Sequence, residues 1–198
     1  MNAATGPTAG GHRICPASRA WLLDHPLRRL IQSPKRIVGP YVSPGDTVLD
    51  IGCASGFFTR PMAVMVGKEG CVIAADVQEE MLAMLAERAG RKGLLDRIRL
   101  HRTQPRSLDL AGLGPVDFAL AFYVVHEARD GDRLLQEAAA VLRPGGLMLV
   151  VEPHGEVTAA EFERTLRAAG AAGLTIAGTP GIRLSRAALL KKPTESGL

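Results

Sequence analysis

The sequence predicts an α/β protein built on a doubly wound, mostly parallel seven-stranded sheet. Three observations carry that expectation. From Thr47 onward, short β-rich runs alternate with stretches of helical periodicity, as in sheets covered by helices on both faces. The runs end in turn residues, several of them glycine. One run, Val116–Tyr123, is apolar enough to be buried on both sides.

Thr47–Ile51 reads as the first strand, and Thr59–Val66 as a helix with Pro61 in its first turn and Gly67 as its stop. Cys71–Ala75 is the second strand. Residues 79–89 set Met81, Leu82, Met84 and Leu85 on one helical face. Ile98–His101 and Val116–Tyr123 follow as strands. Asp130–Leu142 is a helix whose stripe is Leu134, Leu135, Ala138, Val141 and Leu142, closed by a turn at Arg143–Gly146. Leu147–Glu152 is the fifth strand. Thr158-Ala-Ala-Glu161 is a capping box opening a helix to about Ala169. Strands near 174–178 and 182–190 finish the chain.

The chain divides into a disordered tail at 1–11, a helical N-terminal cap or lid at 12–46, and one domain at 47–198. Its 198 residues, 46% of them hydrophobic, are enough for a single core. The longest apolar run, Phe118 to Val125, has the length of a strand and not of a membrane span. Residues 1–11 lack the basic start and apolar middle of a signal peptide, so a cytoplasmic protein is expected. Cys15, Cys53 and Cys71 form no metal-binding or disulfide spacing, and no metal is expected. Residues 1–40 hold Arg13, Arg19, Arg28, Arg29, Lys35 and Arg36 against Asp24 alone. Without interleaved aromatics, this arm reads as a solvated basic face, and nucleic acid is not the expected partner.

The chemistry is concentrated in "TVLDIGCASGFFTR". Asp50 ends a buried strand at the sheet's carboxyl edge, where open α/β folds bind ligands. Gly52 allows the tight turn, and Gly56 allows close approach of a ligand and the helix start. A pyrophosphate loop carries a different glycine spacing, and a carboxylate here would repel phosphate. A ligand with a positive amino group or sulfonium suits it better. In "VIAADVQEEML", Asp76 ends the second strand, placed to take ribose hydroxyls, with Met81 one turn on to cover an adenine. Together Asp50 and Asp76 describe a nucleoside with a cationic amino-acid tail, S-adenosylmethionine.

"VLDIGCASGFFT", "VIAADVQEEML", "VDFALAFYVVHE" and "VLRPGGLMLVVEP" together resemble the successive motifs of class I S-adenosylmethionine-dependent methyltransferases. The likeness is greatest to the branch of ubiquinone/menaquinone C-methyltransferases and arsenite methyltransferases, and it covers residues 42–152. It implies a Rossmann-like fold whose last two strands form an antiparallel hairpin, one of them inserted beside the fifth strand. It also implies a methionine-end loop of Asp50, Gly52, Cys53, Ala54 and Gly56, with Phe57 and Phe122 beside it. Asp76 would hold the ribose, while Val77 and Met81 line the adenine. Gln104 stands where the family often has an acidic residue near the adenine amino group, and Ala54 replaces a common glycine.

Candidates for catalysis lie where strands four and five end: Tyr123, His126, Glu127, Glu152 and His154. His126 beside Glu127 could deprotonate an acceptor, or could cap the loop. Trp21 is a candidate roof for the acceptor pocket. The leading expectation is methyl transfer to a small molecule, with S-adenosylhomocysteine as product. The alternatives are a cofactor-binding partner subunit without turnover and an RNA methyltransferase using the basic arm. Arsenite is disfavoured, because Cys71 starts its strand at the edge opposite Cys53. The sequence does not fix the oligomeric state.

Overall fold

The computed structural model describes residues 32–194. The tail at 1–11 and most of the expected cap, with Cys15, Trp21 and four of its arginines, lie outside them. A short helix α1, Pro34–Val38, opens the described chain. Then follow β1 (Thr47–Ile51), α2 (Thr59–Met65), β2 (Cys71–Asp76), α3 (Glu79–Gly90), a 3-10 turn, β3 (Ile98–Arg102), β4 (Val116–Phe122) and α4 (Gly131–Val141). β5 (Leu142–Pro153), α5 (Ala159–Ala171), β6 (Thr175–Gly178) and β7 (Ser185–Lys191) complete it.

The sheet order is β3-β2-β1-β4-β5-β7-β6. β1 to β5 pair in parallel, β7 runs antiparallel to β5, and β6 antiparallel to β7. This is the expected Rossmann-like α/β sheet with its hairpin insertion. The period of two in the strands sorts the core into two layers. Ile51, Ala119, Ala121 and Val150 pack under α4 and α5. Val48, Phe118, Leu120 and Leu149 pack under α1, α2 and α3. Asp130 caps α4 through the Arg133 amide, and the Thr158–Glu161 capping box opens α5 as expected.

Most boundaries shift by a residue or so, β7 begins at Ser185 rather than 182, and the largest difference is at β5. Arg143–Gly146 belongs to β5, which begins at Leu142 rather than Leu147. Leu142 pairs with Val116, and the register then jumps so that Leu147 meets Phe118. The turn residues Pro144 and Gly145 (φ 78°) therefore form an irregularity inside a paired strand. No helix among the described residues is long and apolar enough to cross a membrane.

Candidate functional site

Strand order reverses between β1 and β4, and a cavity of about 340 Å³ lies across the carboxyl ends of these strands. That is the place, and within the size range, of ligand sites in open α/β folds. One wall is the β1–α2 loop. Its backbone is drawn back onto β2 by the Gly52 and Cys53 amides, which donate to the Ala75 carbonyl at 2.8 and 3.0 Å. Gly52 has φ 68°, and a Cβ there would stand 2.6 Å from Val124 Cγ2, so glycine is required twice over.

Ala54 adopts φ 45°, a left-handed conformation that costs a side-chain-bearing residue about 1–2 kcal/mol. Its amide donates to Asp76 Oδ2 at 2.9 Å, while Asp76 Oδ1 accepts from the Gln78 amide at 2.9 Å. Asp76 thus ties the β1 and β2 loops together and still faces the cavity.

Asp50 is only 3% exposed and accepts from the Thr59 hydroxyl at 2.6 Å. Burial pushes its carboxyl up from 3.8 to about 7; the Thr59 bond opposes the rise and the nearby Asp76 charge adds to it. Burial likewise raises Asp76, against the Gln78, Ala54 and Val77 amides, and raises the Cys53 thiol, so Cys53 sits in the loop as an inert thiol. Two buried acids sharing one cleft, with no cation at either carboxylate among the described residues, favour a ligand that brings positive charge. Ser55 Oγ, 1% exposed and unpaired among the described residues, lines the same loop and can bond to a ligand's polar group.

Of the residues expected to hold the cofactor, Gly52, Cys53, Ala54, Phe57, Val77, Met81, Gln104 and Phe122 join the two aspartates in lining the cavity. Gly56 does not. With φ 87°, it lets the loop pack on α3, since a Cβ would fall 2.3 Å from Leu85 Cδ1. Its missing side chain makes room for Leu85 of α3. Gln104 sits in a tight turn closed by its backbone bonds with Ser107. Glu137 of α4 anchors that turn through the Ser107 hydroxyl and Leu108 amide.

The second wall comes from the ends of β4 and β5. His126 does not pair with its neighbour in sequence: its Nδ1 bonds to Glu152 Oε2. Glu152, 1% exposed at the end of β5, also accepts the Val125 amide at 3.0 Å and the His126 amide at 3.3 Å. A carboxylate only accepts, so Nδ1 carries a proton and Nε2 is the basic atom of the neutral ring. Nε2 is shielded and has no aligned hydrogen bond among the described residues, with Glu156 Oε2 3.4 Å away. Burial alone would lower the imidazole's pKa. The Glu152 bond and charge, with Glu127 and Glu156, outweigh it and raise the pKa above 6.5.

Tyr123, at φ 60°, packs its ring at a tilt of 38° against Phe122, and its hydroxyl is engaged by Ser185 at 2.6 Å and Gln32 at 2.7 Å. Tyr123, His126, Glu127 and Glu156 all line the cavity; Glu152 lies behind His126, and His154 is not among the lining residues. Residue type and strand position mark Glu152 in the sequence, but its pairing with His126 depends on the β4–β5 register.

A family model described as a methyltransferase domain matches residues 48–146, which contain both acidic strand ends and the glycine loop. This chain belongs to the methyltransferase domain family. S-adenosylmethionine is the cofactor of this domain. A ubiquinone biosynthesis O-methyltransferase from Sinorhizobium fredii is 30% identical over 168 residues, 85% of this chain and 60% of that one. A ubiquinone/menaquinone biosynthesis C-methyltransferase from Hydrogenovibrio crunogenus is 29% identical over 111 residues, 56% of this chain and 43% of that one. The chain thus spans about half the length of these relatives. An S-adenosylmethionine-dependent methyltransferase structure from Aquifex aeolicus superposes with a TM-score of 0.79 at 25% identity, covering 89% of this chain and 98% of that one.

Proposed function

We propose that this methyltransferase domain methylates a small-molecule acceptor whose nucleophile arrives protonated, with His126 as the base. The observation that carries the reading is the half-buried His126, bonded to the buried Glu152 and lining the same cavity as Asp50 and Asp76. Bound S-adenosylmethionine supplies a methyl group activated by its cationic sulfur.

The chain's own residues do the rest. Asp50 and Asp76 meet the ligand's positive charge and its hydroxyls, and Ser55 Oγ takes a further polar contact. Val77, Met81 and Phe122 face its apolar parts, and Phe57 and Cys53 shape the loop. Gln104, which brings no negative charge, accepts a hydrogen bond from the adenine amino group through its side-chain oxygen. Glu152 fixes His126 with the Nδ1 proton toward itself, leaving the Nε2 lone pair to take the acceptor's proton. The exposed Glu156 swings aside to admit it. The deprotonated acceptor would then carry the electron pair needed to take the methyl group that the bound cofactor would supply. Holding both partners in this geometry supplies up to about 7–11 kcal/mol of the barrier reduction. Tyr123, its hydroxyl occupied by Ser185 and Gln32, shapes the acceptor wall rather than moving a proton.

The named relatives act in ubiquinone and menaquinone biosynthesis. A phenolic or enolic acceptor, handled in the cytoplasm, fits both those names and the base. The test is formation of S-adenosylhomocysteine from S-adenosylmethionine across a panel of phenols, enols and amines. Turnover with acidic O–H or C–H acceptors, lost in His126→Gln, supports the reading. Turnover confined to acceptors needing no base, and equal in His126→Gln, contradicts it.

A further inference from the structure

A second cleft of about 340 Å³ lies between α1 and the turn before β7, lined by Ser33, Arg36, Ile37, Tyr41 and residues 180–183. Among the described residues that line it, the charged ones are Arg36 and Arg183, and none is acidic. Both arginines are exposed, and neither makes an ion pair among the described residues. Ile37, Tyr41 and Ile182 add apolar walls, and the Ser33 side chain adds a hydroxyl. Two unpaired guanidiniums on separate elements, facing one small cleft, match a carboxylate or a phosphate monoester.

The cleft adjoins the acceptor wall. Ser185 follows Arg183 by two residues, donates to the Arg183 carbonyl at 3.2 Å and bonds to the Tyr123 hydroxyl at 2.6 Å. Gln32, next to Ser33, donates to the same hydroxyl at 2.7 Å. Ser185 pairs with Pro153 at the carboxyl end of β5, so the strand that follows the cleft's turn meets the sheet end that carries Glu152. Tyr123 lines the methyl-transfer cavity, and its hydroxyl bonds tie it to residues next to those that bear the arginines. At the reacting end the side chains around His126 are acidic: Glu127, Glu152 and Glu156. Arg106 and Arg129 also line that cavity, so acids and bases are mixed there, whereas the described charges at the second cleft are both positive.

The geometry points to an anion subsite at Arg36 and Arg183 that takes the carboxylate or phosphate monoester of a small molecule. Its link to methyl transfer rests on the function proposed above; the binding itself does not. The ligand is either the acidic group of the acceptor or a free anion acting through Tyr123, and the two sources separate by experiment.

The ¹⁵N-labelled full chain is titrated with inorganic phosphate and with benzoate at constant ionic strength set by chloride. The expected result is saturable shifts in the amides of Ser33, Ile37 and residues 181–183. Affinity falls tenfold or more in Arg36→Gln and in Arg183→Gln, and is unchanged in Arg99→Gln at the far edge of the sheet. Turnover then separates the sources. If the group belongs to the acceptor, acidic acceptors lose kcat/KM in the two variants, phosphate competes with them, and neutral acceptors are unaffected. If the anion is free, phosphate changes the turnover of neutral acceptors in the wild type only. Shifts that do not saturate, or that are the same in Arg36→Gln, Arg183→Gln and Arg99→Gln, overturn the subsite, whether or not the chain transfers methyl groups.

Discussion

The two walls of the main cavity are built on different principles. The cofactor wall works through backbone: amides donate to Ala75 and Asp76, and glycine or alanine sits at positive φ in the turn. The acceptor wall works through side chains from separate strands, His126 on Glu152 and Tyr123 on Ser185, 26 and 62 residues apart. A wall made of backbone tolerates few residue types at each position. A wall made of side-chain pairs can exchange them, which suits a fold that keeps one cofactor and varies its acceptor.

If the walls are functionally separate, substitutions should divide cleanly between cofactor affinity and turnover. His126→Gln has the largest expected effect: kcat falls about 10²- to 10⁴-fold, while calorimetric affinity for S-adenosylmethionine stays within about twofold of wild type. Loss of cofactor affinity in that variant would break the separation. Asp76→Asn does the opposite. Removing its charge and weakening its hold on the Ala54 and Gln78 amides should cost about 1.5–3 kcal/mol of binding, roughly 10- to 100-fold in Kd.

Titration sharpens the contrast. In the proposed reaction His126 is the base and must be neutral, so kcat/KM should rise with pH through an ionisation above 6.5, and Glu152→Gln should move that inflection down. An inflection unmoved by Glu152→Gln would remove His126 as the base. For folding, the raised pKa means the His126–Glu152 pair contributes fully below pH 6.5 and less as pH climbs through the folded-state value.

Asp50 behaves similarly for a different reason. Its carboxyl is content in the fold while protonated, and that advantage, complete below about pH 3.8, is lost as pH passes about 7. Ionised Asp50 therefore costs the ligand-free protein up to about 4 kcal/mol at neutral pH. Asp50→Asn should raise the ligand-free melting temperature at pH 8 and weaken S-adenosylmethionine binding. A lower melting temperature would show that the carboxylate is not strained. Ala54→Gly has the smallest expected effect, a stabilisation of at most about 1 kcal/mol, because relief of the left-handed alanine is offset by greater freedom in the unfolded chain. Denaturant unfolding measures it.

The difference between the walls also explains what the sequence disclosed. Asp50, Gly52 and Asp76 were legible because strand ends and turn geometry are local. The central strands β1, β2 and β4 were legible because both faces of the sheet are covered there, so each reads as an apolar run, whereas the edge strands β3 and β6 are largely exposed. Arg143–Gly146 reads locally as a turn, and only the pairing of Leu142 with Val116 extends β5 through it. His126 suggested Glu127 by adjacency, whereas its partner Glu152 is brought in by the alignment of β4 with β5. Gly56 was expected to admit ligand, and the Leu85 contact that uses its missing side chain comes from a helix almost thirty residues on. Neither the arginine cleft nor the buried, unpaired Ser55 hydroxyl carries a sequence signal, because each depends on which groups the fold leaves without partners.

The most direct measurement is a calorimetric titration of the full chain, at one pH and salt, with S-adenosylmethionine, S-adenosylhomocysteine and NAD in turn. Saturable, one-to-one binding of the two adenosyl amino acids, with NAD at least a hundredfold weaker, is the predicted outcome. NAD binding as tight as S-adenosylmethionine, or no heat with either adenosyl amino acid at millimolar concentration, would contradict a cleft whose paired acids choose positive charge over phosphate.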